Sequence, residues 1–482
     1  MEITVDINDY TAHDATGLAR LIADRQVSPA EVHDVAARAI DAVDPVLGAV
    51  AGERFATPLD HSSDGPFAGV PFAIKDLIAH AAGVPQRNGS RLFGDGLVPA
   101  EDTYLMARFR RAGLATMAVT TTPELGFNAS TEAAAAYGRP TRNPWDTDRS
   151  PGGSSGGSAA LVAAGALPMA HANDGGGSIR IPAAACGLVG LKPTQGRTTP
   201  GPEYADPLMG LGIEFAVTRT VRDSAGLLDA VHGSEPGDRY LLPAPERPFA
   251  ELVGQDVRPL RIAVCTTPYD PSRAVDPQSV ATVQEVAAVL ERLGHHVEEA
   301  APRIDAQTFD DANFTAWCSF LADGVYATAE LLGVTPSREH LEATTLECAR
   351  YGATLTARDL YAADRVFNTV RREVARFLGE YDVLLTPTTA QPTVPLGHLD
   401  ADNPELDARG WYDRIFDYGA FTSVFNTTGH PAISLPLGQS AEGWPVGVQF
   451  AGRYGDEATL LQLAGTMERA MPWAHRRPRV HA

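Results

Sequence analysis

Two glycine-serine tracts constrain this chain more than any other feature. The first reads Ser150-Pro-Gly-Gly-Ser154-Ser155-Gly-Gly-Ser158, and the second Asn173-Asp174-Gly175-Gly176-Gly177-Ser178. Glycine gives up more backbone freedom on ordering than any other residue, so such runs belong in tight turns rather than in regular elements. A glycine run also lets several N–H groups point at one spot, which makes a concavity suited to an anion. A serine that ends such a run sets its hydroxyl beside those donors. Acyl transfer needs that pairing, a nucleophile next to an oxyanion hole.

A serine nucleophile needs a base. These tracts hold no glutamate or histidine at an obvious catalytic position, and His171, just upstream, reads as a packed core residue. Lys75, however, ends the apolar run Pro71-Phe72-Ala73-Ile74. Burial disfavours the ammonium form, and lowering a lysine from about 10.4 to near 7 costs about 4–5 kcal/mol of differential desolvation, within the range that buried lysines show. The competing reading is a phosphate cradle. No Lys-Ser/Thr pair follows the glycines, and no G-x-G-x-x-G opens a helix after a strand.

The rest of the chain reads as α/β. Ser28-Pro29-Ala30-Glu31 is a capping box that starts a helix with Val32, Ala36, Ile40 and Val43 on one face. Ala68–Ile74 reads as a strand that delivers Lys75. Asp102 is expected to cap a helix through Arg111, followed by the strand Leu114–Val119. A small-residue helix follows the first glycine tract, and Leu167–Ala170 is strand-like. Val221–His232 reads as a helix and 235–260 as a proline-rich surface connection. Leu260–Cys265, Val280–Leu293 and His296–Glu299 form a β-α-β pattern. Residues 305–380 are helical by period, and strands return at Val383–Thr386, Ala432–Leu435 and Val446–Phe450 before a last helix capped by Asp456. Four stretches result: 1–60 (an N-terminal helical segment), 61–234 (the core), 235–380 (a variable α/β and cap region) and 381–482 (C-terminal strands and helix completing the core).

Charge removes several function classes. The 482 residues carry 39 basic and 60 acidic side chains, a formal net charge of −21. That field repels phosphate backbones and anionic lipid, so neither nucleic acid nor a membrane is an expected partner. Cys186, Cys265, Cys318 and Cys348 are widely spaced and lack a CxxC pair, which reads as reduced thiols. The acidic start, Met-Glu-Ile-Thr-Val-Asp, lacks the basic and apolar regions of an export signal. The chain is therefore expected in the cytoplasm.

The run from Ser150 to Thr194 resembles the amidase signature, including Gly-Gly-Ser-Ile-Arg-Ile-Pro-Ala-Ala-Ala-Cys-Gly-Leu-Val-Gly-Leu-Lys-Pro-Thr. The spacing of Ser154 and Ser178 is similar to the family's. The likeness extends to Gly69-Val-Pro-Phe-Ala-Ile-Lys75-Asp, Arg142-Asn-Pro-Trp and Phe425-Asn-Thr-Thr-Gly-His-Pro. It implies the amidase-signature α/β fold, a mixed, largely parallel central sheet covered by helices with a helical cap. It also implies catalysis by Ser178 as nucleophile, Ser154 after a cis peptide as proton bridge and Lys75 as base, without metal or cofactor. The N–H groups of Gly175, Gly176, Gly177 and Ser178 would form the oxyanion hole, with Ser155, Asp174 and Arg180 in support. Where the family commonly has Thr-Asp-x-Gly-Gly-Ser, this chain has Asn173.

Within the family, Met471-Pro-Trp-Ala-His-Arg-Arg-Pro and Thr198–Gly201 resemble hydrolases of the 6-aminohexanoate cyclic dimer and of similar linear amides. That likeness places Cys318 in the substrate pocket. Phe127 and Asn128 stand where a polar residue matters in that subgroup. Phe127, Tyr137, Trp317 and Phe320 instead read as an aromatic pocket suited to an aryl amide or a carbamate. The expected protein is a monomeric or homodimeric hydrolase of a small-molecule amide, carbamate or ester. The alternatives are the A subunit of a glutamine-dependent tRNA amidotransferase and a catalytically silent binding module.

Overall fold

The computed structural model describes residues 6–482. The export-signal reading rests on Met1–Val5, outside the described residues. Short apolar runs buried on both faces become strands. Val70–Lys75 (β1) and Leu114–Thr120 (β2) are buried throughout and pair in parallel, joined by the crossover helix Tyr104–Arg111. The other strands are Met169–Asp174 (β3), Val189–Lys192 (β4), Ile213–Thr218 (β5), Arg261–Val264 (β6), His296–Glu299 (β7), Val383–Pro387 (β8), Ala432–Gln439 (β9) and Pro445–Gly452 (β10). They form one sheet in the order β3-β5-β4-β9-β10-β8-β6-β7, and β1 lies against β3.

The α/β class and the mixed sheet match the sequence reading. Parallel pairing belongs to the β-α-β units, β1–β2 and β6–β7, and to the β6–β8 ladder. The five ladders across the centre, from β3 to β8, are antiparallel. "Largely parallel" thus describes the β-α-β units, where a helical crossover lets two strands run the same way, and not the middle of the sheet.

Local signals set most boundaries. The expected capping box is present: Glu31 N–H donates to Ser28 Oγ (3.2 Å), Ser28 N–H to Glu31 Oε2 (2.7 Å), and the helix runs Pro29–Leu47. Asp456 caps Glu457–Ala470 through Thr459 N–H. One cap moves by a residue. Thr103, not Asp102, accepts from Met106 N–H, while Asp102 forks onto Arg110 (2.6 and 3.1 Å). The connection at 235–260 contains a short helix, Phe249–Leu252.

Two apolar cores flank the sheet. One joins it to the first and last helices through Ile40, Phe72, Phe215, Leu435 and Leu460. The other lies under the cap helices Ala306–Leu332, Ala343–Gly352 and Ala357–Glu380, with Phe309, Leu321, Val374 and Trp411. Among the described residues no helix is long and apolar enough to cross a membrane, and no group of three or more His, Cys, Asp or Glu side chains is arranged to hold a metal ion.

The middle of the chain and its C-terminal region meet through β4–β9 pairing and through a buried ion pair. Glu457, fully buried at the start of the last helix, accepts from Arg197 Nη2 (2.9 Å) and from Thr194 N–H (2.9 Å). Removing one partner of a buried pair strands the other charge, at about 3–5 kcal/mol. Glu457→Ala is therefore expected to lower unfolding stability by that amount in urea titrations, and a loss below about 1 kcal/mol would contradict this account.

Candidate active site

Lys75 sits at the end of β1 with no exposed surface. Its Nζ lies 2.7 Å from Ser154 Oγ, 3.1 Å from Ser155 Oγ and 2.5 Å from Asn173 Oδ1. None of the three is a carboxylate. Burial pulls this amine down to about 7, against the raising influence of the Glu214 and Asp174 charges. Proton counting around Nζ is informative. Asn173 Nδ2 donates to Leu77 O (3.1 Å), which turns its Oδ1, an acceptor only, toward the lysine. Ser155 Oγ donates to Asn173 O (3.3 Å), so it receives from the lysine. A neutral amine has two N–H groups and one lone pair. The two N–H groups go to Asn173 and Ser155, and the lone pair is left for the Ser154 hydroxyl.

The turn after β3 is held from below. Asp174 Oδ1 accepts from Gly177 N–H (2.7 Å), and Oδ2 from Ile179 N–H (3.2 Å). Burial works against this carboxylate, yet the Arg180 guanidinium, forked onto it at 2.9 Å twice, holds it at about 2. Arg180 also donates to Thr422 O, Gln449 Oε1 and Asn426 Oδ1, and Asn426 Nδ2 returns to Asp174. The structure corrects one expectation here. The Gly177 N–H, expected in the anion cradle, is committed to Asp174, so the cradle candidates are the N–H groups of Gly175, Gly176 and Ser178. Gly177 is needed for another reason: at φ +138° an added Cβ would run into the Thr422 side chain, which bonds Gly176 O.

Across the cavity, the Gly153–Ser154 peptide is cis, as the resemblance implied. A Cβ on Gly153 would lie 2.6–2.7 Å from backbone atoms of Ser130 and Asn128, so only glycine fits. Ser154 and Ser178 both open into one cavity of about 40 Å³, walled mainly by Leu77, Leu125, Leu208, Trp317 and Phe320, with Glu214 as its buried charge beside Asp174. The hydrogen-bonded chain runs from Asn173 through Lys75 to Ser154, and Ser178 faces it across this space.

The pocket expectations divide. Trp317 and Phe320 line the cavity. Phe127 stacks on Trp317 (ring centroids 4.5 Å apart, 22°) and backs the wall without forming it. Asn128 is not placed in the pocket: its amide is spent on Leu399 O (3.0 Å) and Ser130 N–H (2.9 Å). Cys318 is also not in the lining. One residue along the helix from Trp317, it turns about 100° away and is fully buried against the helix Ala343–Gly352, near Cys348. Tyr137 binds Asp76 Oδ2 (2.7 Å) instead.

Sequence reasoning missed three residues. Glu214 on β5 lines the cavity and bonds His171 Nε2 (2.8 Å), while His171 Nδ1 accepts the Lys75 N–H (3.2 Å). His171 is fully buried, as expected, and fixes the lysine's backbone. Asn426 lay within a recognised motif, but nothing local signalled that it would reach the glycine turn. Asn173 had been noted only as a departure from the family pattern.

The family described as Amidase matches residues 47–461. The chain is 38% identical to the 6-aminohexanoate-cyclic-dimer hydrolase of Paenarthrobacter ureafaciens, over 97% of this chain and 96% of that one. It is 33% identical to an acylamidase of Rhodococcus erythropolis, over 96% of each. A solved structure of 6-aminohexanoate cyclic dimer hydrolase superposes with a TM-score of 0.90 at 36% identity, covering 98% of this chain and 99% of that one. A buried lysine bonded to a serine after a cis peptide, a glycine turn that ends in a second serine, and this likeness along almost the whole chain make it a member of the amidase signature family, amidohydrolases that act on carbon–nitrogen bonds.

Proposed function

We propose that the protein hydrolyses a neutral carboxylic amide through an acyl-enzyme on Ser178, with Ser154 as the proton bridge and Lys75 as the base. The observation that carries this reading is the bonding at Lys75 Nζ. Nζ lies 2.7 Å from Ser154 Oγ and has two other acceptors in Asn173 and Ser155, so in the neutral amine the lone pair would be left for Ser154. As Ser178 Oγ attacks the carbonyl carbon, its proton passes to Ser154 and the Ser154 proton to Lys75. The N–H groups of Gly175, Gly176 and Ser178 receive the developing negative charge. The proton then returns along the same path to the leaving nitrogen, the amine departs, and water takes the reverse route to release the acid.

The lining favours an apolar linear or aryl amide, because Leu77, Leu125, Leu208, Trp317 and Phe320 supply most of the wall. Passing ammonia to a charged tRNA fits poorly, since −21 offers no basic track for the nucleic acid. Carbamates and esters present the same carbonyl geometry and belong in the assay panel beside the 6-aminohexanoate cyclic dimer.

Four outcomes test the reading. Ser178→Ala is expected to lower kcat by about 10⁴-fold or more with an unchanged melting curve, and a fluorophosphonate is expected to label Ser178, located by peptide mass spectrometry. Labelling at another residue would remove Ser178 as nucleophile. Lys75→Met is expected to lower kcat by several orders of magnitude. Because only the neutral amine accepts a proton, kcat/KM is expected to rise with pH through about 7. A profile flat from pH 5 to 9 would remove Lys75 as the base.

A further inference from the structure

Three of the chain's five tryptophan indoles bond a backbone carbonyl. Trp145, Trp411 and Trp473 donate to the carbonyl oxygens of Cys186, Phe127 and Arg219 at 2.8, 3.2 and 3.1 Å. Trp317 is different. It is 6% exposed, and its Nε1–H is buried with no acceptor among the described residues. Buried donors are normally paired, and one that is not calls for an explanation at that site.

The position of the ring supplies one. Trp317 lines the cavity that holds Ser154 and Ser178. Its Cη2 and Cζ2 atoms lie 3.1 and 3.2 Å from where a Cβ on Gly175 would stand, and Cζ2 lies 3.5 Å from the same point on Gly176. The benzo edge of the indole, Cη2 and Cζ2, therefore faces the glycine turn, and Nε1 follows two bonds from Cζ2 on the same ring. Stacking on Phe127 and an edge-on contact with Phe320 (ring centroids 6.4 Å apart) hold the ring in this pose. Leu208 Cδ2 closes the same spot, 2.9 Å from the Gly175 position, and offers no acceptor.

We infer that Trp317 is a specificity-determining residue whose indole N–H binds a second, neutral acceptor oxygen of the substrate, next along from the scissile carbonyl. This inference rests on the amidase reading above. The acceptor is neutral because the indole brings no charge, while the buried Glu214 in the same lining disfavours a carboxylate. Among otherwise equal amides, the favoured substrate therefore carries another carbonyl or ether oxygen close to the bond that is cut.

The test uses acyl p-nitroanilides in matched pairs. In one member of each pair a second amide carbonyl stands on the acyl side, and in the other a methylene replaces it. Turnover of either member by the unmodified enzyme reads the amidase assignment. Binding to the Ser178→Ala protein, by titration calorimetry, reads Trp317 without any chemistry. The oxygen-bearing member is expected to bind about tenfold more tightly, and that preference is expected to vanish in Ser178→Ala/Trp317→Phe, which keeps an aromatic ring but lacks the N–H. In the turnover assay, Trp317→Phe is expected to raise KM for the oxygen-bearing member while leaving kcat within about twofold. Equal binding of the two members, a preference that survives loss of the N–H, or an equal loss of kcat on both would overturn the inference.

Discussion

A lysine sealed from water either pairs with a carboxylate or gives up its charge, because an unpaired buried ammonium is too costly to keep. Lys75 is bonded to Ser154, Ser155 and Asn173, with no carboxylate in contact. The site depends on that choice of partners. A carboxylate in place of Asn173 would hold the amine protonated and remove its lone pair, whereas Asn173 fixes the amine's direction and leaves its charge free to fall. Glu214 and Asp174 act from farther away and keep the value near 7 rather than lower. Only two lysines occur in the whole sequence, Lys75 and Lys192, and both are fully buried. Arginine supplies every other fixed positive charge, and its always-charged guanidinium suits salt bridges but not proton exchange.

The second dependence runs between distant parts of the chain. The glycine turn has few contacts of its own, since it lacks side chains. Its shape is imposed by Asp174, and Asp174 is held by Arg180, which Asn426 and Gln449 tie to the C-terminal third. The C-terminal third therefore completes the sheet with β9 and β10 and also supplies, through Gln449 on β10 and Asn426 on the short helix Ser423–Thr427, the polar backing of the turn that would stabilise the oxyanion. The cap contributes Trp317 and Phe320 from the opposite side. The backing of the turn and the wall of the cavity thus come from different regions of the chain.

Much of this was legible in the sequence. The capping box at Ser28, the β-α-β pattern at 261–299, the strand that delivers Lys75 and the turn before Ser178 follow from local chemistry, and the structure places them where expected. Family resemblance added the pairing of Lys75 with Ser154 across 79 residues of chain, which no local rule supplies. What stayed hidden was tertiary. Strands β4 and β5 are short and sit in or just beyond the signature tract, where glycine and proline mask their period. Asn128 and Cys318 were expected to face substrate, but a side chain's facing depends on how helices dock, and a 100° turn per residue separates Cys318 from Trp317. The Gly177 N–H was lost from the cradle because Asp174 takes it, a bond visible only once the turn is closed.

The claim on which the account stands is that Lys75 loses its charge near neutral pH rather than near the usual lysine value. With only two lysines in the chain, ¹³Cε-lysine labelling gives a spectrum simple enough to assign with Lys75→Met. The account predicts that the Lys75 signal titrates near pH 7 in the folded protein. A Lys75 signal that still reports an ammonium above pH 9 would contradict it, and the proposed proton path would have no base.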